Sequence, residues 1–145
     1  MTRRNAALAL GVLATTAFGP VLAGAQAKSP AVTVTTLFSG TETAAGQPIT
    51  LPSGPVRLVV SEYVIPPGSV LPVHRHPYAR YGYVQAGRLK ITNVQTGLAK
   101  VFGPGDVIVE MINVWHSATP IGTATVRVLV FDQLPPGGVA TELRH

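Results

Sequence analysis

Glycine and proline interrupt this sequence so often that no long helix fits between them. The 145 residues include 15 Gly and 13 Pro, whereas average usage gives roughly 17 of the two together in a chain of this length. The interruptions gather in groups such as 66–68, 103–105 and 135–138, with β-branched or alternating segments between them. Short strands separated by frequent turns predict an all-β sandwich or barrel.

Six segments carry the strand pattern, and none holds a helical period over three turns. The chain has no internal repeat that would indicate two barrels. We therefore predict one small jelly roll or β-barrel of six to eight strands. The segments are 32–38, 56–65, 81–84, 88–94, 107–109 and 125–131.

Composition excludes several classes of function. The chain has no Cys, which removes disulfide frameworks, thiolate metal sites and thiol nucleophiles together. With 46% apolar residues, intrinsic disorder is not expected. The basic residues are scattered instead of forming the patch that nucleic-acid binding needs, so we expect no nucleic-acid partner.

Residues 1–27 predict an export signal. Arg3 and Arg4 precede an apolar stretch over 6–18, and small residues at 23–27 provide cleavage sites. The alternative is an uncleaved anchor. Cleavage would leave 9 basic and 6 acidic residues, a net charge of +3, and a periplasmic or secreted protein without a membrane partner. We predict an extended arm at 28–55, a barrel at 56–134 and a tail at 135–145.

Three of the four histidines have an ordered spacing. His74 and His76 are two residues apart, so both side chains project from the same face of a strand. Such a pair can chelate a metal ion, although pairs on surface strands are also common. His116 follows 40 residues after His76 and is the third candidate ligand.

The residues around these histidines extend the pattern. Gly68 stands six residues before His74, and Gly87 stands eleven after His76. After 17 intervening residues, Gly105 opens a second group, which includes His116. This arrangement resembles the two motifs of the cupin superfamily. In the second motif, Met111, Asn113 and Pro120 stand at positions where the family has Pro, Gly and Asn.

The resemblance implies a double-stranded β-helix with a metal site inside it. His74, His76 and His116 would hold a divalent transition metal, which could be Fe, Mn, Ni, Cu or Zn. The physical reading agrees, because inward positions alternate along the strands of a small barrel and bring such residues together. Asn113 suits a turn with positive φ, since Asn tolerates that conformation best after Gly.

Arg80 departs from the family pattern. It occupies the position of the carboxylate that commonly completes the cupin site, and an alternative count places Tyr81 there. A guanidinium has no lone pair for a metal, so three alternatives remain: an open three-His site, ligation by Glu110, or an anion receptor built on Arg80. An acid beside Arg80 would reduce its repulsion of the metal, and Glu110 or Glu62 could supply it.

Two functions follow from this site, and fold alone does not choose between them. The first is a small-molecule metalloenzyme of the oxidoreductase, dioxygenase-like or isomerase-like kind, with Arg80, Glu110 and Tyr81 as catalytic candidates. The second is a non-enzymatic cupin that binds a small anion through Arg80, or a scaffold with a vestigial site. Sheet faces that need cover favour a homodimer.

Overall fold

The computed structural model describes residues 29–144, and the predicted export signal lies outside this range. The residues from Val34 onward form one compact unit. No part of 29–144 forms a helix with the length and apolarity needed to cross a membrane. The strands of this unit are β1 (Arg57–Ile65), β2 (Leu71–Arg75), β3 (Arg80–Ala86), β4 (Leu89–Asn93), β5 (Ala99–Phe102), β6 (Val107–Val109), β7 (His116–Pro120), β8 (Val126–Leu134) and β9 (Glu142–Leu143).

The strands form two antiparallel sheets with the orders β1-β8-β3-β6 and β5-β4-β7-β2-β9. This confirms the predicted all-β jelly-roll architecture, with nine strands in the described range instead of six to eight. Strands β2, β5 and β7 lie outside the six predicted segments. So does β9, which lies within the segment predicted as a tail. Its two residues become a strand through pairing with His74 and Arg75 of β2, which no local sequence pattern indicates.

The predicted strand at 32–38 is wrong. The residues alternate as a strand would, but Val32, Val34 and Leu37 are exposed, and no strand within residues 29–144 pairs with them. An apolar alternation stabilises a strand only when a sheet covers one of its faces. Further along the predicted arm, the backbone N–H of Ala44 donates to the carbonyl of Val109, which attaches this segment beside β6.

The core lies between the two sheets and is apolar over most of its length. Along β8, alternate residues point inward, and three buried valines are followed by a buried acid, Asp132. The inward face of β3 also changes from apolar to charged, because Val84 is wholly buried and Arg80 is buried at the other end of the strand. One end of the barrel interior is therefore apolar, and the other is charged.

Asn113 adopts the left-handed backbone conformation that the sequence predicts, with φ of 56°. Its N–H donates to the carbonyl of His76 over 2.8 Å. The turn before β7 is thereby joined to the segment after β2. This contact helps to bring the two histidine-bearing parts of the chain together.

Candidate metal centre

The three predicted histidines lie together at the charged end of the barrel. His74 on β2 and His116 on β7 face each other as a direct cross-strand pair, and His76 follows immediately after β2 and forms a bridge with Ile112. All three residues are buried. One ring nitrogen from each lies within 4.8 Å of the others, so the group has the dimensions of a metal site.

Backbone carbonyls determine which nitrogen of each ring faces the centre. The Nδ1 atoms of His74, His76 and His116 lie 2.6, 2.9 and 2.8 Å from the carbonyl oxygens of Pro72, Ala140 and Val114. A carbonyl can only accept a hydrogen bond, so each Nδ1 carries the proton and each Nε2 presents a lone pair. Contacts of this kind orient metal-binding histidines in general.

The lone pairs at this centre have no protein donor. Among the described residues, the buried atoms without a hydrogen-bond partner are Nε2 of His76, Nε2 of His116 and Oε2 of Glu110. Burial lowers the pKa of His76 to about 2 and lowers the pKa values of His74 and His116, so the rings are neutral. Several acceptors around one point leave buried polar atoms unsatisfied, and a bound cation would satisfy them.

Glu110 comes from the segment just after β6. Its N–H donates to the carbonyl of Arg80, which places the two residues opposite each other where the β3–β6 ladder ends. Its Oε2 lies 3.5 Å from Nε2 of His116. Burial raises the pKa of the Glu110 carboxyl, because a charged carboxylate is costly there without a cation.

Arg80 is buried, and its guanidinium is already bound within the protein. Its Nε and Nη2 donate to the two carboxylate oxygens of Asp132 over 2.7 and 3.0 Å, and its Nη1 donates to the Tyr63 hydroxyl over 3.4 Å. Although burial opposes it, this pairing raises the pKa of Arg80, so the residue stays charged. The guanidinium donors that were predicted to bind an anion are therefore already bound to the Asp132 carboxylate.

The acid that neutralises Arg80 also differs from the prediction. We expected Glu110 or Glu62, but the partner is Asp132, which pairs with Arg80 across β3 and β8. Glu62 lies on the outer surface and forms an ion pair with Arg127. Tyr81 points to the face of β3 opposite Arg80, beside Phe131, and does not reach the three imidazoles.

Sequence reasoning missed Asp132, Tyr63 and the segment around Ala140. The signal for Asp132 was present, because it continues the inward alternation of three valines on β8. No comparable signal marks Ala140, whose backbone carbonyl is the contributing group and whose partner His76 lies 64 residues earlier.

A small cavity borders the centre on the side of the apolar core. It measures about 30 Å³, and a single water needs roughly 10 to 15 Å³ by this measure. A wider depression of about 230 Å³ shares Tyr63, Leu71, His74 and Arg80 with it, and Thr141 and Leu143 line its rim. The inner space therefore takes one or two water-sized groups, and a larger molecule would approach from the depression.

Comparisons with known proteins agree with this architecture. The sequence model of the family described as "Cupin domain" matches residues 61–132. No match is found among curated protein sequences. Similar solved structures include an oxalate decarboxylase with 20% identity and a TM-score of 0.50, which covers 59% of this chain and 23% of its own.

Two further structures are similar to this chain. A putative sugar phosphate isomerase from Acidithiobacillus ferrooxidans has 26% identity and a TM-score of 0.45, covering 54% of this chain and 51% of its own. The polyketide cyclase RemF from Streptomyces resistomycificus has 28% identity and a TM-score of 0.47, covering 60% of this chain and 63% of its own.

The chain spans about half the length of the isomerase and about a quarter of the decarboxylase. The family match lies within the two sheets and contains all three histidines. Residues 61–132 therefore form a cupin domain, as the family match and the two-sheet fold agree.

Proposed function

We propose that this protein is an exported single-domain cupin that binds one divalent transition metal through His74, His76 and His116 and acts on a small molecule as a metalloenzyme. The observation that carries the proposal is the set of three Nε2 lone pairs around one point. Each is oriented by a carbonyl behind its ring, and two of them have no partner within the described residues. Iron, manganese, nickel, copper and zinc all accept imidazole ligands.

The protein around this site limits the substrate. A bound metal would supply Lewis-acid or redox chemistry to a group that coordinates it. The inner cavity of about 30 Å³ has no room for a bulky group at the innermost positions, so the reacting group of the substrate is small. His74 and Arg80 line both the cavity and the outer depression. A substrate entering from the depression would pass between these two residues and the Tyr63 ring.

The enzyme reading is favoured over the anion-binding alternative by the state of Arg80. An anion receptor needs a guanidinium with free donors, whereas two of the three nitrogens of Arg80 donate to Asp132. Arg80 would then orient the Tyr63 hydroxyl and contribute positive charge to the pocket wall. With iron or manganese, oxygen-dependent chemistry is the expected class, and with zinc we expect isomerisation or hydrolysis.

Elemental analysis of the full-length protein tests the proposal most directly. We expect about one equivalent of metal per chain and its loss in His76→Ala. The matched control is Arg75→Gln, because Arg75 is adjacent to His76 but forms an ion pair with Glu142 on the surface. The metal found then selects the assay, either oxygen uptake or isomerisation of small hydroxy and keto acids.

A metal-free wild-type protein that also fails to take up Co(II), Mn(II) or Zn(II) in solution would contradict the metal site. Metal that binds equally well in His76→Ala would place it elsewhere. If one equivalent binds but a broad screen shows no turnover, the enzymatic part of the proposal fails and the binding part stands.

Export and assembly form the remaining part of the proposal. Arg3, Arg4 and the apolar stretch after them support export, and N-terminal sequencing of the mature protein should find residues 1–27 removed. For a homodimer, the support is the outward face of the edge strand β1, where Leu58, Val60 and Val64 are 61, 51 and 53% exposed. Light scattering should give twice the mass of one chain, and Val60→Lys should reduce the measured mass to that of a single chain.

A further inference from the structure

Three charged residues form a row across the inward face of one sheet. Asp132 of β8 pairs in register with Arg80 of β3, and Glu110 stands opposite Arg80 on the other side, where its N–H meets the Arg80 carbonyl. We call these residues, Asp132, Arg80 and Glu110, the charged row. With Glu110 ionised, as a metal ligand would be, the charges of the row alternate as minus, plus, minus. Arg80 therefore has a carboxylate neighbour on each side and could pair with either.

The guanidinium of Arg80 pairs with one neighbour only. Nε and Nη2 both donate to Asp132, and Nη1 donates to Tyr63. Within residues 29–144, no hydrogen bond or ion pair connects Arg80 to the Glu110 carboxylate. The bidentate geometry makes the Asp132 contact strong and directional. Asp132 thus keeps the cation away from Glu110.

The Glu110 carboxylate, which Arg80 does not bind, faces the histidines. Oε2 of Glu110 is buried without a partner and stands 3.5 Å from Nε2 of His116, which presents a lone pair. With metal–ligand bonds near 2.0–2.1 Å, two ligands of one ion stand roughly 3 to 3.5 Å apart. Two acceptors at this separation repel each other until a cation lies between them. The separation from His116 suits a shared metal ion. Glu110 lies outside the set of ligand atoms within 4.8 Å of one another, so its carboxylate would turn toward the other two rings when the ion binds.

We infer that Glu110 is the fourth protein ligand of the metal and that Asp132 is the residue that keeps it available by holding Arg80. The inference rests on the three-His site proposed above. It explains how an arginine can occupy the position beside the histidines without blocking the site. The ligand carboxylate comes from the segment just after β6, beside Arg80, and the positive charge is neutralised from the other side of the row.

Co(II) binding to the full-length protein tests both parts, since the visible absorption of this ion reports its ligands. In Glu110→Gln, the affinity for Co(II) should fall by at least the roughly 10- to 100-fold that is typical when a residue that only orients a ligand is lost, and the absorption bands should shift. In Asp132→Asn, the affinity should also fall, because Arg80 is then free to pair with Glu110. The double variant Arg80→Met/Asp132→Leu removes the competitor as well, and it should bind Co(II) within a few-fold of wild type.

The double variant also separates positioning from folding. If Asp132→Asn proves too unstable to purify, the double variant supplies the decisive measurement, since it replaces a buried ion pair with apolar side chains. Adding Glu110→Gln to it should again lower the Co(II) affinity. Unchanged affinity and spectrum in Glu110→Gln would overturn the ligand assignment, and unchanged affinity in a folded Asp132→Asn would overturn the role of Asp132. Failure of wild type to bind Co(II) would instead contradict the proposed function.

Discussion

The histidine centre and the charged row lie at the same end of the barrel but are held in place differently. His74 and His116 are oriented by the carbonyls of Pro72 and Val114, each two residues earlier in the chain. Arg80 is held by Asp132, 52 residues away. The first arrangement is largely local, whereas the second exists only after β3 and β8 have paired.

This difference teaches which parts of the site tolerate change. A histidine held by its own strand keeps its orientation when a distant residue changes. In the charged row, Arg80 and Asp132 depend on each other, because removing one leaves a buried charge without its partner. Variants in the two regions should therefore differ in the size of their effects on stability, and the predictions below start from the largest.

The largest loss is expected in the charged row. Asp132→Ala should lower the free energy of unfolding by about 3 to 5 kcal/mol, because it leaves the Arg80 guanidinium buried and unpaired. Urea denaturation measures this. Arg80→Met/Asp132→Leu should recover most of the loss. If the single variant cost less than about 1 kcal/mol, the pair would not be buried as described, and the contrast between the two regions would disappear.

Lowering the pH should destabilise the metal-free protein through the histidine centre. The folded-state pKa of His76 is depressed to about 2 by burial, against 6.5 in the unfolded chain, so only the unfolded state takes up this proton as the pH falls below about 6.5. The metal-free protein should lose about 1.4 kcal/mol of stability per pH unit for each such histidine. Glu110, whose folded-state pKa is raised above 4.5 by burial, acts in the opposite direction, because its folded state takes up a proton before its unfolded state does.

Denaturation in urea between pH 6.5 and 5.0, with a chelator present, gives this slope. His76→Gln is the matched variant, since it retains an amide near the same carbonyl but does not titrate. In this variant, the free energy of unfolding should fall less steeply with decreasing pH, by the contribution of about one proton. An identical slope in both proteins would mean that His76 is already protonated in the folded state.

A smaller effect is expected at the turn that leads into β7. Asn113 has a φ of 56°, and Ala at this position should cost about 1 kcal/mol because its Cβ is strained in the left-handed region. Gly should be within about 0.5 kcal/mol of wild type. Thermal unfolding of both variants compares them, and equal effects of Ala and Gly would argue for a side-chain contact instead of backbone strain.

The smallest effect should come from Glu62→Gln. Glu62 and Arg127 join neighbouring strands just as Asp132 and Arg80 do, but their side chains are 39 and 49% exposed, against 4 and 6% for the buried pair. An exposed pair contributes about 0.2 to 1 kcal/mol. Urea denaturation should confirm a loss in this range, and a loss similar to that of Asp132→Ala would show that burial does not separate the two pairs.

The sequence predicts the features that depend on short spacing. The turns, the all-β class, the His74–His76 pair and the backbone of Asn113 all follow from residues within a few positions of one another. The Arg80–Asp132 pair does not, because Glu62, Glu110 and Asp132 are equally suitable acids until the register of β3 and β8 is known. Residues 32–38 show the opposite error, since a strand pattern forms no strand when no sheet covers it.

The contact between His76 and the Ala140 carbonyl has a consequence for the order of assembly. The proton on Nδ1 of His76 finds its partner only when residues 140–143 have returned to β2, where β9 pairs with it. The other two rings are oriented as soon as their own strands form. A folding intermediate without β9 would thus hold two oriented histidines and one free to rotate. Full metal affinity should develop late, as the closing step of folding.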